Sequence, residues 1–311
     1  MDTQVSGKET APAPSRRILS AMKWFVTLSV LAAALACHRM PVYGRAEHVK
    51  EIEQWRTDRL SRLQSESGWL TLVGLQWLNE GPNKVENPPG GFTVVLEKGK
   101  VTLEPDSRLT IDGKPVTVAT TLVDDTADKG PTVVQIGTIR FNVIQRAGKY
   151  GLRVKDSNAV ARLHFKGIPS FPISERWRVK ARFERFDPPR HVPITNVLGQ
   201  TTEEIAPGLL VFNLDGKEVK VEPILEQGEK DYFIIFKDAT SGKETYPAAR
   251  FVYAAPPDAD GMTVIDFNKA YNPPCAFTAY ATCPLPPPQN RFPFRVDAGE
   301  KKYSGPGAHQ E

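Results

Sequence analysis

The sequence predicts a mainly β protein of the α+β class. One N-terminal helix leads into two antiparallel β sections, a sandwich or barrel, and then into a proline-rich C-terminal strap. Three observations carry this. Helical periodicity is confined to Ala46–Ser65; short β-branched runs alternate with turn dipeptides from Lys84 to Arg153; and WRVKARFERF, Trp177–Phe186, alternates apolar with charged side chains.

In the helical stretch, Val49, Ile52, Trp55, Leu60 and Leu63 share one face, with Glu51, Glu53, Arg56, Asp58 and Arg59 on the others. GWLTLVGLQWLNEGPN, from Gly68 to Asn83, is too apolar to stay exposed and predicts a buried helix or strand pair. The first β section, residues 84–153, contains Phe92–Leu96, Lys100–Leu103, Leu109–Ile111, Pro115–Val118, Thr132–Ile136 and Thr138–Ile144, with turns at Asp112-Gly113, Lys129-Gly130 and Ala147-Gly148. The second, residues 177–253, continues through Leu209–Leu214, Glu218–Ile224, Asp231–Phe236 and Ala249–Tyr253, with a hairpin turn at Asp215-Gly216. Beyond Pro256 the chain reads as irregular, with a strap over residues 266–303 and a frayed tail over 304–311. Residues 46–303 are expected to form one domain.

Net charge is only +4, which offers no nucleic-acid footprint. Basic residues Arg16, Arg17 and Lys23 precede Trp24–Ala36, an uncharged run of thirteen residues that is short for a bilayer span. Ala34-Leu35-Ala36 closes it as a cleavage site would, so residues 1–36 read as a secretory signal and 37–45 as a tether. Cys37 follows the cut, as in a bacterial lipoprotein signal. The protein is then expected outside the inner membrane, periplasmic or envelope-facing, touching the membrane only through a lipid on Cys37. Ordinary cleavage and a twin-arginine route through Ser15-Arg16-Arg17 are the alternatives.

There are three cysteines, so lipidating Cys37 leaves Cys275 and Cys283 as a pair. In YNPPCAFTAYATCPLPPPQNRF, Tyr271–Phe292, their spacing suits a disulfide better than a zinc site or catalytic dithiol; buried thiols and a metal or redox role remain the other readings. The prolines hold this segment extended. No G-x-S-x-G, phosphate loop, H-E-x-x-H or C-x-x-C is present, and of five histidines only His164 and His191 lie within the body. The residues themselves name no cofactor and no metal site.

Asp266–Tyr303, together with GWLTLVGLQWL from Gly68, RAGKYGLRVKD over Arg146–Asp156 and FKDATSGKETYPAARF over Phe236–Phe251, resembles a bacterial and archaeal family known as domain of unknown function 1684, across roughly residues 48–303. The resemblance implies no activity. It does single out polar side chains that packing leaves unexplained. Arg153, Arg250, Tyr271, Asn272, Asn290 and Arg291 are the candidate binding residues, for a small anionic molecule or a carboxylate-bearing glycan fragment that arginine recognises bidentately. If the protein is instead a hydrolase or transferase, Asp156, Asp266 and Glu300 are the candidate acid/base carboxylates. A ligand-binding or scaffold module is the leading expectation; the sequence is silent on oligomeric state.

Overall fold

The computed structural model describes residues 46–86 and 90–309, all within one compact unit. The signal, the tether and Cys37 lie outside the described residues. Among those described, no helix is long and apolar enough to cross a membrane.

Helix α1, Ala46–Gln64, buries His48, Ile52, Arg59 and Leu63. Arg59, expected among the solvent-facing charges, is therefore turned inward. Glu300 Oε1 at 3.2 Å and the Asn272 carbonyl at 2.9 Å supply the partners that make this burial tolerable. After a single 3₁₀ turn, Trp69–Thr71, the apolar GWLTL stretch continues as a strand, β1 (Leu72–Trp77).

Nine more strands complete the first section: β2 (Gly81–Val85), β3 (Phe92–Glu97), β4 (Lys100–Leu103), β5 (Asp106–Ile111), β6 (Lys114–Val116), β7 (Thr120–Leu122), β8 (Val134–Ile136), β9 (Ile139–Arg146) and β10 (Lys149–Asp156). They form an antiparallel six-stranded sheet, β1-β10-β9-β8-β5-β6, and a four-stranded sheet, β2-β3-β4-β7. Val94, Leu103, Leu109, Phe141, Val143 and Leu152 fill the core of this section. The turns form as their residues dictate. Asp112-Gly113 and Ala147-Gly148 hold both residues at positive φ, the geometry a tight two-residue hairpin demands.

Short helix α2 (Val160–Leu163) leads into the second section, built from β11 (Arg178–Thr195), β12 (Thr201–Leu214), β13 (Lys217–Val221), β14 (Tyr232–Phe236), β15 (Arg250–Ala254) and β16 (Met262–Asp266). One sheet runs β13-β12-β11-β16; β14 and β15 pair separately. Strand β14 is buried on both faces, which explains its unbroken apolar sequence YFIIF. Ile234 and Phe236 face a core with Trp177, Phe212, Phe267 and Phe292. Phe233 and Ile235 face another with Leu63, Leu70, Phe277 and Tyr303. So the two sections have separate cores, and the second is itself layered on either side of β14-β15.

Two stretches differ from expectation. Strand β16 occupies a region read as irregular, pairing Asp266 with Arg178 and Met262 with Arg182 of β11; the prolines lie just outside it. The tail is docked, not loose, over 304–309. Tyr303 Oη donates to the Pro306 carbonyl at 3.0 Å and His309 N to the Ala276 carbonyl at 3.3 Å.

The strap itself joins the body by isolated bridges rather than a ladder, among them Phe251–Tyr271, Lys237–Arg291 and Asn196–Pro284. Gly299 lets it pass close. At φ +75°, an added Cβ there would fall 2.3 Å from the Ala270 carbonyl oxygen.

Candidate functional site

A cleft of about 760 Å³ opens where helix α1, the β9-β10 hairpin, strands β12, β14 and β15 and the strap meet. Such a volume accommodates a ligand of drug size. Each wall brings its own chemistry. From the first section come Arg146 and Arg153; from α1 and the turn after it, Trp55, Arg59, Arg62 and Trp69. The second section supplies Glu204, Glu226 and Tyr253, and the strap Tyr271 and Cys283.

Arg153 is the least satisfied cation. Alternation along β10 turns it to the same side as Lys155, and both stand over the Trp69 ring, at 5.2 and 5.3 Å from its centroid. It is only 9 % exposed, and its Nε has no hydrogen-bond partner. The nearest acid, Asp125, lies 3.8 Å away, beyond hydrogen-bond reach. Asp125 is already engaged by Arg146, bidentately at 2.9 and 2.8 Å, and by Gln145 N at 3.0 Å. Burial, with Arg146 adding like charge, pushes the Arg153 guanidinium down to about 10. Burial takes the Lys155 ammonium down to about 8, with Arg153 and Arg140 adding like charge.

The opposite wall is acidic and aromatic. Tyr253 Oη donates to Glu226 Oε2 at 2.8 Å, and Thr202 Oγ1 to Glu204 Oε1 at 3.0 Å. Burial raises the Glu226 carboxyl, and Glu229 and Glu204 add to the rise. Burial also raises Tyr253, and lifts Tyr271 to about 12. The Arg59 guanidinium caps the Tyr271 ring at 4.5 Å, while Phe233 stacks on Tyr253 at 5.0 Å.

Among the expected binding residues, Arg153 and Tyr271 line this cleft and the other four do not. Arg250 is sealed inside the second section. It pairs with Asp238 at 3.2 Å and donates to the carbonyls of Val296 and Ala298. Asn272 Nδ2 donates to the Lys301 carbonyl at 2.7 Å. Asn290 is 1 % exposed and reaches Glu222 N, Glu222 O and Ile235 O, pinning strap to sheet. Arg291 is exposed, with Nε on the Pro286 carbonyl.

The three expected acid/base carboxylates also lie outside the lining. Asp266 accepts from the His48 ring at 2.7 Å and from Asn268. Glu300 is enclosed between Arg59 and the Asn272 N–H, which donates to it at 2.7 Å. Burial nonetheless raises its carboxyl. Asp156 Oδ1 caps the turn at the end of β10 by accepting from Asn158 N at 2.8 Å.

Cys275 and Cys283 are free and buried, so the expected disulfide is not formed. The Cys275 N–H donates to Cys283 Sγ at 3.1 Å. That bond and the packing of Ala276, Phe277 and Ala281 around the thiols close the loop without a covalent link. Burial and the neighbouring Cys275 hold the Cys283 thiol well above its ordinary range. Among the described residues, no three His, Cys, Asp or Glu side chains gather as metal ligands.

The sequence reading missed Trp55, Arg59, Arg62, Trp69, Arg146, Glu204, Glu226 and Tyr253. Arg146 and Tyr253 had a signal, lying in or beside family-like segments. Glu204 had none, since on an alternating strand it reads as a solvated position.

The model of a family described as "Protein of unknown function (DUF1684)" matches residues 163–301. That match, over less than half of the chain, is a similarity to the family. It is narrower than the expected 48–303, leaving the first β section outside. Cys283, Tyr271, Glu204, Glu226 and Tyr253 fall within the matched residues, Arg59, Arg146 and Arg153 before them. Among solved structures, the chain is similar to an uncharacterized protein of Haloarcula marismortui determined by solution NMR, at 28% identity over 44% of this chain and 77% of that one, with a TM-score of 0.38. No curated protein matches.

Proposed function

We propose that the protein is an exported, lipid-anchored envelope module that binds a small organic anion in this cleft. The observation that carries the reading is Arg153: a buried guanidinium in the wall of a cleft, with Nε unpartnered and its only acid already taken by Arg146. Leaving such a donor unsatisfied is costly unless a ligand completes it. A carboxylate is the group that a guanidinium held over an indole meets best. Export and anchoring rest on the N-terminal sequence, residues 1–37.

Arg153→Met keeps the apolar stem on Trp69 and removes the charge. Asp125 keeps Arg146, so the variant is expected to melt within a few degrees of wild type. Titration calorimetry with citrate, glucuronate and N-acetyl-trialanine is expected to show binding of at least one to wild type. The affinity should fall at least tenfold in the variant. Failure of all three to bind, or equal affinity in Arg153→Met, overturns the reading.

A pH series gives a second check. Burial takes the Arg153 guanidinium down to about 10, so anion affinity is expected to hold up to about pH 9 and then to fall. Stability moves the other way. Above about pH 8 the unfolded chain, with lysine at its ordinary 10.5, binds the proton that folded Lys155 has lost. Folding is therefore favoured as pH rises through that window. An affinity that is flat from pH 7 to 10.5 contradicts the assignment of Arg153 to the ligand.

A further inference from the structure

Two carboxylates of the cleft lining, Glu204 and Glu226, stand without an ion pair among the described residues. Glu204 and Glu226 are half-buried in the lining contributed by the second section, and the Glu204 charge adds to the rise of the Glu226 carboxyl. Their polar contacts are to hydroxyls only, Thr202 and Tyr253. Arg146 and Arg153 face Asp125, Arg59 and Lys269 are matched to Glu300 and Glu51, and Arg62, the remaining cation of the lining, is exposed on α1. Two neighbouring carboxylates without a counter-charge favour a cation brought from outside. The aromatic rings of Phe233 and Tyr253 line the same wall, the kind of surface that holds an ammonium group, while the Tyr271 ring is already capped by Arg59. The apolar residues Ile194, Ile224 and Ile235 complete the lining.

We infer that the ligand is a zwitterion of short-peptide type, its carboxylate on Arg146 and Arg153 and its ammonium between Glu204, Glu226 and Tyr253. This rests on the anion-binding reading of the same cleft and adds the second charge. A tripeptide is of the drug size that a cleft of about 760 Å³ takes.

Three probes that differ only at their ends test it: trialanine, N-acetyl-trialanine and trialanine amide, titrated calorimetrically into the purified full chain at pH 7. Trialanine is expected to bind at least tenfold more tightly than either capped form. In Glu226→Gln, an isosteric change at a half-buried side chain, the ratio of trialanine to N-acetyl-trialanine affinity should fall to near one. Glu204→Gln serves as the second variant should the first melt early. If N-acetyl-trialanine binds as well as trialanine and still depends on Arg153, the zwitterion is wrong and the anion reading stands. If none of the three binds, the peptide class is wrong, and citrate or glucuronate binding lost in Arg153→Met keeps the simpler reading. If Arg153→Met weakens nothing, both fall together.

Discussion

Asp238→Ala is expected to destabilise the protein by about 3–5 kcal/mol, the range for removing one partner of a buried ion pair. Arg250 is 1 % exposed and cannot reach water when its carboxylate goes. Asp238 also accepts from Val296 N at 2.7 Å, Thr240 N at 3.2 Å and Thr240 Oγ1 at 2.9 Å, so the substitution orphans several donors at once. These bonds tie the loop after β14 to the strap just before Gly299. Arg250→Met should cost less than Asp238→Ala, because it removes the buried charge, while a methionine can fill the space beside the Phe236 ring that the guanidinium now covers at 5.1 Å. The double variant should recover part of the loss, since the uncompensated charge is then gone. Chemical denaturation of the three variants checks this. A loss under 1 kcal/mol in Asp238→Ala would mean that the pair is not the clamp its geometry suggests.

Glu300→Ala is expected to have a comparable effect on stability and a further one on the cleft. Glu300 joins α1 to the strap, accepting from Arg59 Nε at 3.2 Å and Asn272 N at 2.7 Å. Without it Arg59 keeps one backbone acceptor for a buried charge, and about 3–5 kcal/mol is lost. Arg59 also caps Tyr271, so the cleft wall loosens with it. Glu300→Gln should be milder, because burial already raises this carboxyl and the amide oxygen still accepts one bond. Thermal melts separate the two variants, and Tyr271 solvent exposure, read by fluorescence quenching, reports the wall. Equal melting temperatures for Glu300→Ala and wild type would contradict the latch.

Local chemistry made much of the fold legible. The Asp-Gly and Ala-Gly turns needed only residues tolerant of positive φ, and the alternation in Trp177–Phe186 specified one buried face. Met262–Asp266 is a strand paired with β11, and its β-branched run Thr263-Val264-Ile265 was a local signal for it that the irregular reading of the region beyond Pro256 overlooked. What local chemistry could not carry was pairing over distance. Strand β11 runs on to Thr195 where its alternation fades, held by β12.

The site was legible only in part, for the same reason. A polar residue in a family-like segment can be a ligand contact or a structural pin, and spacing does not distinguish them. Asn290 and Arg250 proved to be pins, with every contact made inside the body. Arg153 proved to be exceptional through a competition the sequence cannot display, in which Arg146 claims Asp125 first. Arg59 was read as solvated because its partners lie 213 and 241 residues away. The cysteine pair was drawn correctly to one place, but its thiols are satisfied by a backbone N–H and apolar packing.

Calorimetric titration of glucuronate, citrate and N-acetyl-trialanine into wild type and Arg153→Met, with melting temperatures matched, tests the central claim most directly. The account predicts binding of at least one anion to wild type and at least a tenfold loss in the variant without loss of fold. Equal binding by both proteins, or none by either, would contradict it.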